Sequence, residues 1–158
     1  MKEASRPISP LLLRATIKPM KLYLSHASNY DYQTELYAPL KTAFAEKYDI
    51  YFPHDTENDG QNSKQIIAES DIMLAEASYP STGQGIELGW AEAAGVPIVC
   101  FYKNGAVPSG AIKHVAKIIF TYSTPDELLG EIAKQLIISP LNTAHAISKY
   151  STSSVRFF

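Results

Sequence analysis

Apolar residues fall along the chain in two alternating rhythms. Met20 to Ser25 is a short apolar run containing Leu22, Tyr23 and Leu24, and it predicts a buried strand. Leu36, Leu40, Phe44 and Tyr48 then recur at four-residue spacing, which predicts a helix over 31–47 with one apolar face. A second strand over 49–52 stops at Pro53 and a polar loop. A short helix over 62–69 carries Ile66 and Ile67 inward, and a third strand follows over 71–75. The turn-rich stretch 78–85 feeds a helix over 85–94, with Gly95 as its C-cap. Strands over 97–102 and 117–122 flank a loop and a short helix near 111–115. Thr124-Pro125-Asp126-Glu127 predicts a helix start, with Thr124 as N-cap, Pro125 at the first helical position and Glu127 at the third. Leu128, Leu129, Ile132 and Leu136 form that helix's apolar face.

Strand and helix alternate throughout, so the expected fold is α/β. Five strands predict a flavodoxin-like three-layer sandwich, a parallel sheet in the order 2-1-3-4-5 with helices on both faces. Ligands in such folds lie beyond the C-terminal ends of the strands, near the point where strand order reverses. Three loops are thereby marked, after Leu24, Phe52 and Ala75. Residues 1–19 read as a disordered extension, 20–137 as the folded domain with Met20 as a candidate biological start, and 138–158 as a loosely docked tail.

The 158 residues are 46% hydrophobic and 19% charged, enough apolar content for one packed core and too much for a disordered chain. With 14 basic and 16 acidic residues there is no positive excess for a phosphate backbone, so polymeric nucleic acid is not an expected partner. No apolar stretch approaches a membrane span, and no membrane partner is expected. One cysteine, Cys100, allows no internal disulfide and no cysteine-built zinc site; it lies in an apolar run that predicts a buried, inert thiol and suits the cytoplasm. His114 and His145 have no metal-ligand spacing around them, and neither a metal nor a cofactor is expected.

The richest stretch runs from Asp71 to Pro97. It reads as a strand, then the loop Ser78-Tyr-Pro-Ser-Thr-Gly-Gln-Gly85, then a helix. Backbone N–H groups at such a helix start suit an anion, and Ser81 and Thr82 add hydroxyls. Glu87 is expected in the first turn, projecting from a rigid element into the cleft, where a carboxylate fits a nucleophile or a general base. Glu87 has a plainer explanation too: it complements the helix dipole while the glycines shape a turn.

The run Ala-Glu-Ala-Ser…Pro-Ser…Gly-Gln-Gly-Ile-Glu-Leu-Gly…Ala…Gly-Val-Pro resembles the nucleoside 2-deoxyribosyltransferase superfamily, and most of all its 2'-deoxynucleoside 5'-monophosphate N-glycosidase branch. The resemblance covers about Met20 to Leu136. It implies that Glu87 attacks the anomeric carbon of deoxyribose and forms a covalent glycosyl-enzyme, as in a retaining glycosidase. Water resolves that intermediate in a hydrolase, and a second nucleobase resolves it in a transferase. The implied substrate is a nucleoside 5'-monophosphate or a nucleoside, with no cofactor.

Single positions follow from the same resemblance. Tyr23 matches a first-strand tyrosine that lines the nucleoside pocket, although a half-buried strand tyrosine would look the same. Ser81 matches a phosphate-binding serine, and Gly83 and Gly85 shape the same loop. Ser109 looks like a second phosphate serine, which relatives supply from a neighbouring subunit; a helix N-cap would also explain it. Both serines favour a monophosphate, and the second implies a homodimer or higher homo-oligomer. Ser63 stands where many relatives carry a sugar-positioning aspartate; Asp55 and Asp59 are nearby substitutes. Asp71, at the opposite end of its strand, reads as structural.

Tyr23-Leu-Ser25-His26-Ala-Ser28 is also similar to the opening of Toll/interleukin-receptor domains, but the remaining motif fits the deoxyribosyltransferase side better. Ser25, His26 and His54 lie at strand ends within reach of phosphate or base, where a merely solvated histidine is the alternative. Trp90, three residues beyond Glu87, reads as packing rather than stacking. Two other activities stay open: base exchange by a deoxyribosyltransferase, and nucleotide binding without turnover.

Overall fold

The structure is a computed structural model that describes residues 18–138. Except for residues 18, 19 and 138, the expected extension and tail lie outside the described residues. Five parallel strands form one sheet: β1 (Lys21–His26), β2 (Asp49–Tyr51), β3 (Ile72–Glu76), β4 (Ile98–Lys103) and β5 (Ile118–Tyr122). Their order is β2-β1-β3-β4-β5, as the alternating pattern predicts.

Both faces of the three central strands, β1, β3 and β4, are buried, and period-two alternation along the strands divides the core. Leu22, Leu24, Ile72, Leu74, Val99 and Phe101 face one way. They pack on Leu40 and Phe44 of α1 (Ala38–Phe44) and on Leu128, Ile132 and Leu136 of α5 (Pro125–Ile138). Tyr23, Met73, Ala75, Ile98 and Cys100 face the other way. They meet Ile67 of α2 (Ser63–Ala68), Leu88 and Ala91 of α3 (Thr82–Ala93), and Ile112 of α4 (Ile112–Val115). Each fully buried leucine or isoleucine contributes about 2 kcal/mol, so the two layers fix the sheet from both sides.

The expected helix over 31–47 is interrupted. Gln33–Tyr37 winds as a π-turn, with the Ala38 N–H donating to the Gln33 carbonyl, before α1 begins. Pro39 is the cause: it has no N–H for the Glu35 carbonyl and its ring would crowd that oxygen, so the turn widens. Other boundaries follow their signals. The Thr124 hydroxyl accepts the Glu127 N–H at 3.2 Å, but the Glu127 carboxylate reaches back to the Ser123 N–H rather than to its own cap. Gly95 takes φ +71° after α3, a conformation that favours glycine. Asp71 accepts the Lys21 N–H at 2.7 Å and so ties the starts of β1 and β3 together. That is the structural role expected for it.

Candidate active site

The chain leaves β1 for β2 on one side and returns to β3 on the other, so the reversal of strand order lies between β1 and β3. Tyr23 and Ser25, two residues apart on β1, share the face toward α3. Both donate to Glu87. The Tyr23 hydroxyl meets Oε1 at 2.6 Å, and the Ser25 hydroxyl meets Oε2 at 2.6 Å. Each carboxylate oxygen is held by its own hydroxyl, which fixes the plane and direction of the group.

The first turn of α3 differs from expectation. The helix begins at Thr82 with Ser81 as N-cap, its hydroxyl accepting the Gln84 N–H at 3.2 Å. Glu87 therefore lies in the second turn, and no acidic residue stands in the first. The dipole explanation for Glu87 weakens accordingly, because that effect fades beyond the first turn. Helical spacing gives α3 three faces. Gln84, Leu88 and Ala91 form the buried stripe. Gly83, Glu87 and Trp90 lie on one flank, and Ser81, Gly85 and Gly89 on the other.

The Glu87 flank opens into a cleft of about 410 Å³, shared with Gln61, Asn62, Ser63 and Ile86. Burial pushes the Tyr23 phenol far above its ordinary value, and the negative charge and hydrogen bond of Glu87 push it further. The nearby Ser63 side chain opposes the shift. Tyr23 thus keeps its proton at any physiological pH and acts as a donor. Ser63, in the place of the expected aspartate, is a neighbour of the Tyr23–Glu87 pair. Tyr51, opposite Tyr23 in the β1–β2 register, stacks on it with ring centroids 5.3 Å apart. Trp90 both lines the cleft and packs on the core.

The anticipated phosphate residues do not converge. Ser81, Gly85 and Ser109 line a separate cavity of about 180 Å³ between α3 and α4, among Leu88, Ile112 and Val115. Gly83 alone of that set shares the Glu87 cleft. The Ser109 hydroxyl accepts the Ala111 N–H at 3.3 Å, one turn before α4. A Cβ at Gly83 or Gly85 would meet nothing within 4 Å, and neither glycine has positive φ. Neither backbone strain nor packing requires these glycines; Gly83 lines the Glu87 cleft and Gly85 the cavity between α3 and α4.

His26 and His54 lie together at the strand ends, ring centroids 5.0 Å apart, but His26 is buried and turned to the opposite face of β1 from Tyr23 and Ser25. Its Nδ1 donates to the Ala27 carbonyl at 2.7 Å. Its Nε2 must then accept the Tyr37 hydroxyl at 2.8 Å, and that oxygen accepts the His54 N–H at 3.1 Å. Both ring nitrogens are occupied, and burial lowers the imidazole to about 4. His26 is a neutral structural strut. Asp55 pairs with Lys41 at 2.7 Å on the surface. Cys100 is buried, and burial pushes its thiol up to about 12.

Two buried polar groups escaped the sequence reasoning. Glu76 closes β3, where burial raises its pKa and Ser78 and Tyr122 donate to one oxygen. Gln84 is the only polar member of the α3 stripe, and its side-chain amide donates to two main-chain carbonyls, Glu76 at 2.6 Å and Ser25 at 3.2 Å. A glutamine between two glycines is the available signal, although the flanking glycines make the stretch resemble a loop. Among the described residues, no group of three or more acidic, histidine or cysteine side chains is placed to hold a metal ion. Among them also, no helix is long and apolar enough to cross a membrane.

No family model matches the chain. In sequence it is similar to a protein of Syntrophotalea carbinolica named "Putative 2'-deoxynucleoside 5'-phosphate N-hydrolase 1", 48% identical over 40 residues, 25% of this chain and 28% of that one. It is similar also to 5-hydroxymethyl-dUMP N-hydrolase of Rattus norvegicus, 40% identical over 52 residues, 32% of each chain. These matches span less than a third of either curated relative. In fold it is similar to the Clostridium botulinum CMP N-glycosidase BcmB, with a TM-score of 0.55 and 19% identity over 72% of this chain and 98% of that one. The 2-deoxyribosyltransferase of Bacillus psychrosaccharolyticus has a TM-score of 0.52 and 17% identity, covering 69% of this chain and 90% of its own. The resemblance read from the motif is borne out: the chain is similar in sequence to nucleotide N-hydrolases, and in fold to a nucleotide N-glycosidase and a 2-deoxyribosyltransferase.

Proposed function

We propose that this protein hydrolyses the N-glycosidic bond of nucleoside 5'-monophosphates, deoxynucleotides foremost, with Glu87 as nucleophile. One observation carries the proposal: a carboxylate at the β1–β3 crevice is gripped at both oxygens by hydroxyls of one strand, beside an open cleft. A Glu87 oxygen attacks the anomeric carbon while the C–N bond breaks and its electron pair leaves with the base. The base takes its proton from solvent. Water then attacks the same carbon, the ester bond breaks, and the carboxylate returns. Nucleotide and water become free base and sugar 5-phosphate. The hydroxyl still bound to the second carboxylate oxygen stabilises the carboxylate as it leaves.

The backbone N–H groups at the start of α3, beside Gly83 in the Glu87 cleft, supply the anion-binding element for the phosphate on this account, whereas Ser81 lines the cavity on the other flank. Ser109 lies on the far flank of α3 within one chain, so its role at a phosphate beside Glu87 calls for a second copy. The homodimer and a cytoplasmic setting belong to the proposal. Release of free base from monophosphates, lost in Glu87→Gln, tests it. A new nucleoside formed on adding free base would instead assign base exchange. Thermal stabilisation by a nucleotide without any product would assign a binding protein.

A further inference from the structure

We infer that Gln84 is a positioning residue, which sets the Glu87 carboxylate against its two hydroxyl donors by clamping α3 to the ends of β1 and β3. The inference rests on the role proposed for Glu87.

Gln84 occupies a place where an apolar side chain would pack. Its stripe neighbours are Leu88 and Ala91, and it is only 4% exposed. A buried amide costs stability unless it is bonded. Here Nε2 reaches the Glu76 carbonyl at 2.6 Å and the Ser25 carbonyl at 3.2 Å. Glu76 is the last residue of β3 and Ser25 the last but one of the neighbouring β1, Ser25 lying opposite Ala75 in the register and His26 opposite Glu76. One side-chain nitrogen with two hydrogens bridges two carbonyls, which no apolar residue can do.

The second observation is which residue the clamp holds. Gln84 takes the main-chain oxygen of Ser25, and Glu87, three residues along the same helix, takes the Ser25 hydroxyl at 2.6 Å. The helix therefore grips one strand residue twice and closes a ring of bonds through Ser25. Tyr23, the other donor to Glu87, is two residues back on the same strand. Sliding or turning α3 along β1 would break the Gln84 bonds and misalign both hydroxyls together. An anchor elsewhere on the helix would stabilise the fold without controlling this geometry.

The test uses the full chain with Gln84→Met, which keeps the length and loses the donors. Two readouts are taken: kcat and KM on a monophosphate that the wild type hydrolyses, and the ¹³Cζ line of Tyr23, assigned by its loss in Tyr23→Phe. The expected result is a kcat lowered about tenfold to a hundredfold with KM little changed. The Tyr23 line should move toward its position in Glu87→Ala, where the bond is gone. A lowered melting temperature with kcat kept and the Tyr23 line unmoved would overturn the inference and leave Gln84 a fold residue only. If Gln84→Met does not fold, Gln84→Asn keeps an amide one methylene too short for both carbonyls, and an unmoved Tyr23 line there overturns the inference as well. Wild-type inactivity on every nucleotide would defeat the proposed function, while the Tyr23 line would still decide the positioning.

Discussion

Below pH 6.5 the fold should lose stability through one side chain, His26. Its Nδ1–H donates to Ala27, and its Nε2 accepts from Tyr37, which in turn accepts from His54. A proton on Nε2 would displace the Tyr37 hydroxyl hydrogen, in a place that is 4% exposed. Burial is the main cause of the lowered pKa, the charge of His54 adds to it, and the bond to Ala27 opposes it. The unfolded chain binds the proton near 6.5 and the folded chain only near 4. At 1.36 kcal/mol per pH unit, the gap corresponds to about 3 kcal/mol. Because the folded pKa is depressed, this stability is fully present above 6.5, erodes as pH falls, and is gone below 4. Carboxylates titrate in the same window, so the comparison is with His26→Asn across a urea-unfolding series. Between pH 7 and about pH 5 the wild type should lose about 2 kcal/mol more than the variant. NMR of the imidazole should give a midpoint near 4. Parallel stability curves, or an imidazole that titrates at its ordinary value, would refute the bonding scheme.

Tyr23→Phe keeps the stack on Tyr51 and removes the donor to Glu87. Losing one charge-assisted bond should lower kcat/KM by about thirtyfold to a hundredfold in a base-release assay; an unchanged value would count against Tyr23. Gly83→Ala places a methyl in open space on a helix, so urea unfolding should show a gain of about 0.5 kcal/mol while turnover falls. Asp71→Ala frees the Lys21 N–H and should cost about 1–2 kcal/mol with turnover unaltered. A thiol reagent at pH 8 should modify Cys100 slowly in the native protein and rapidly in urea, since the thiol is buried and its pKa is pushed up to about 12.

The sheet was legible because its three central strands are buried on both faces. Leu22, Leu24 and their strand neighbours appear as short continuous apolar runs separated by turn residues, and five such runs leave few topologies. The pairing of Tyr23 with Ser25 on one face also follows from alternation along a strand. Three features were not legible. Pro39 falls inside an unbroken four-residue apolar rhythm, although its effect on the Glu35 carbonyl widens the preceding turn. α3 begins at Thr82, three residues before the pattern predicts, because glycines at 83 and 85 resemble loop although they are helical. The earlier start moves Glu87 from the first turn to the second and sets Ser81 and Ser109 on the other flank from it. His26 shows the general limit. A strand-end histidine looks the same whether it faces a ligand or a buried tyrosine, and only the tertiary partner decides.

The most direct measurement is chromatography of free base after incubating wild type and Glu87→Gln with a panel of deoxy- and ribonucleoside 5'-monophosphates and the free nucleosides. The account predicts base release from monophosphates by the wild type, none by Glu87→Gln, and an intact fold in both. Base release that persists in folded Glu87→Gln would contradict it, because the carboxylate held by Tyr23 and Ser25 would then not be the nucleophile.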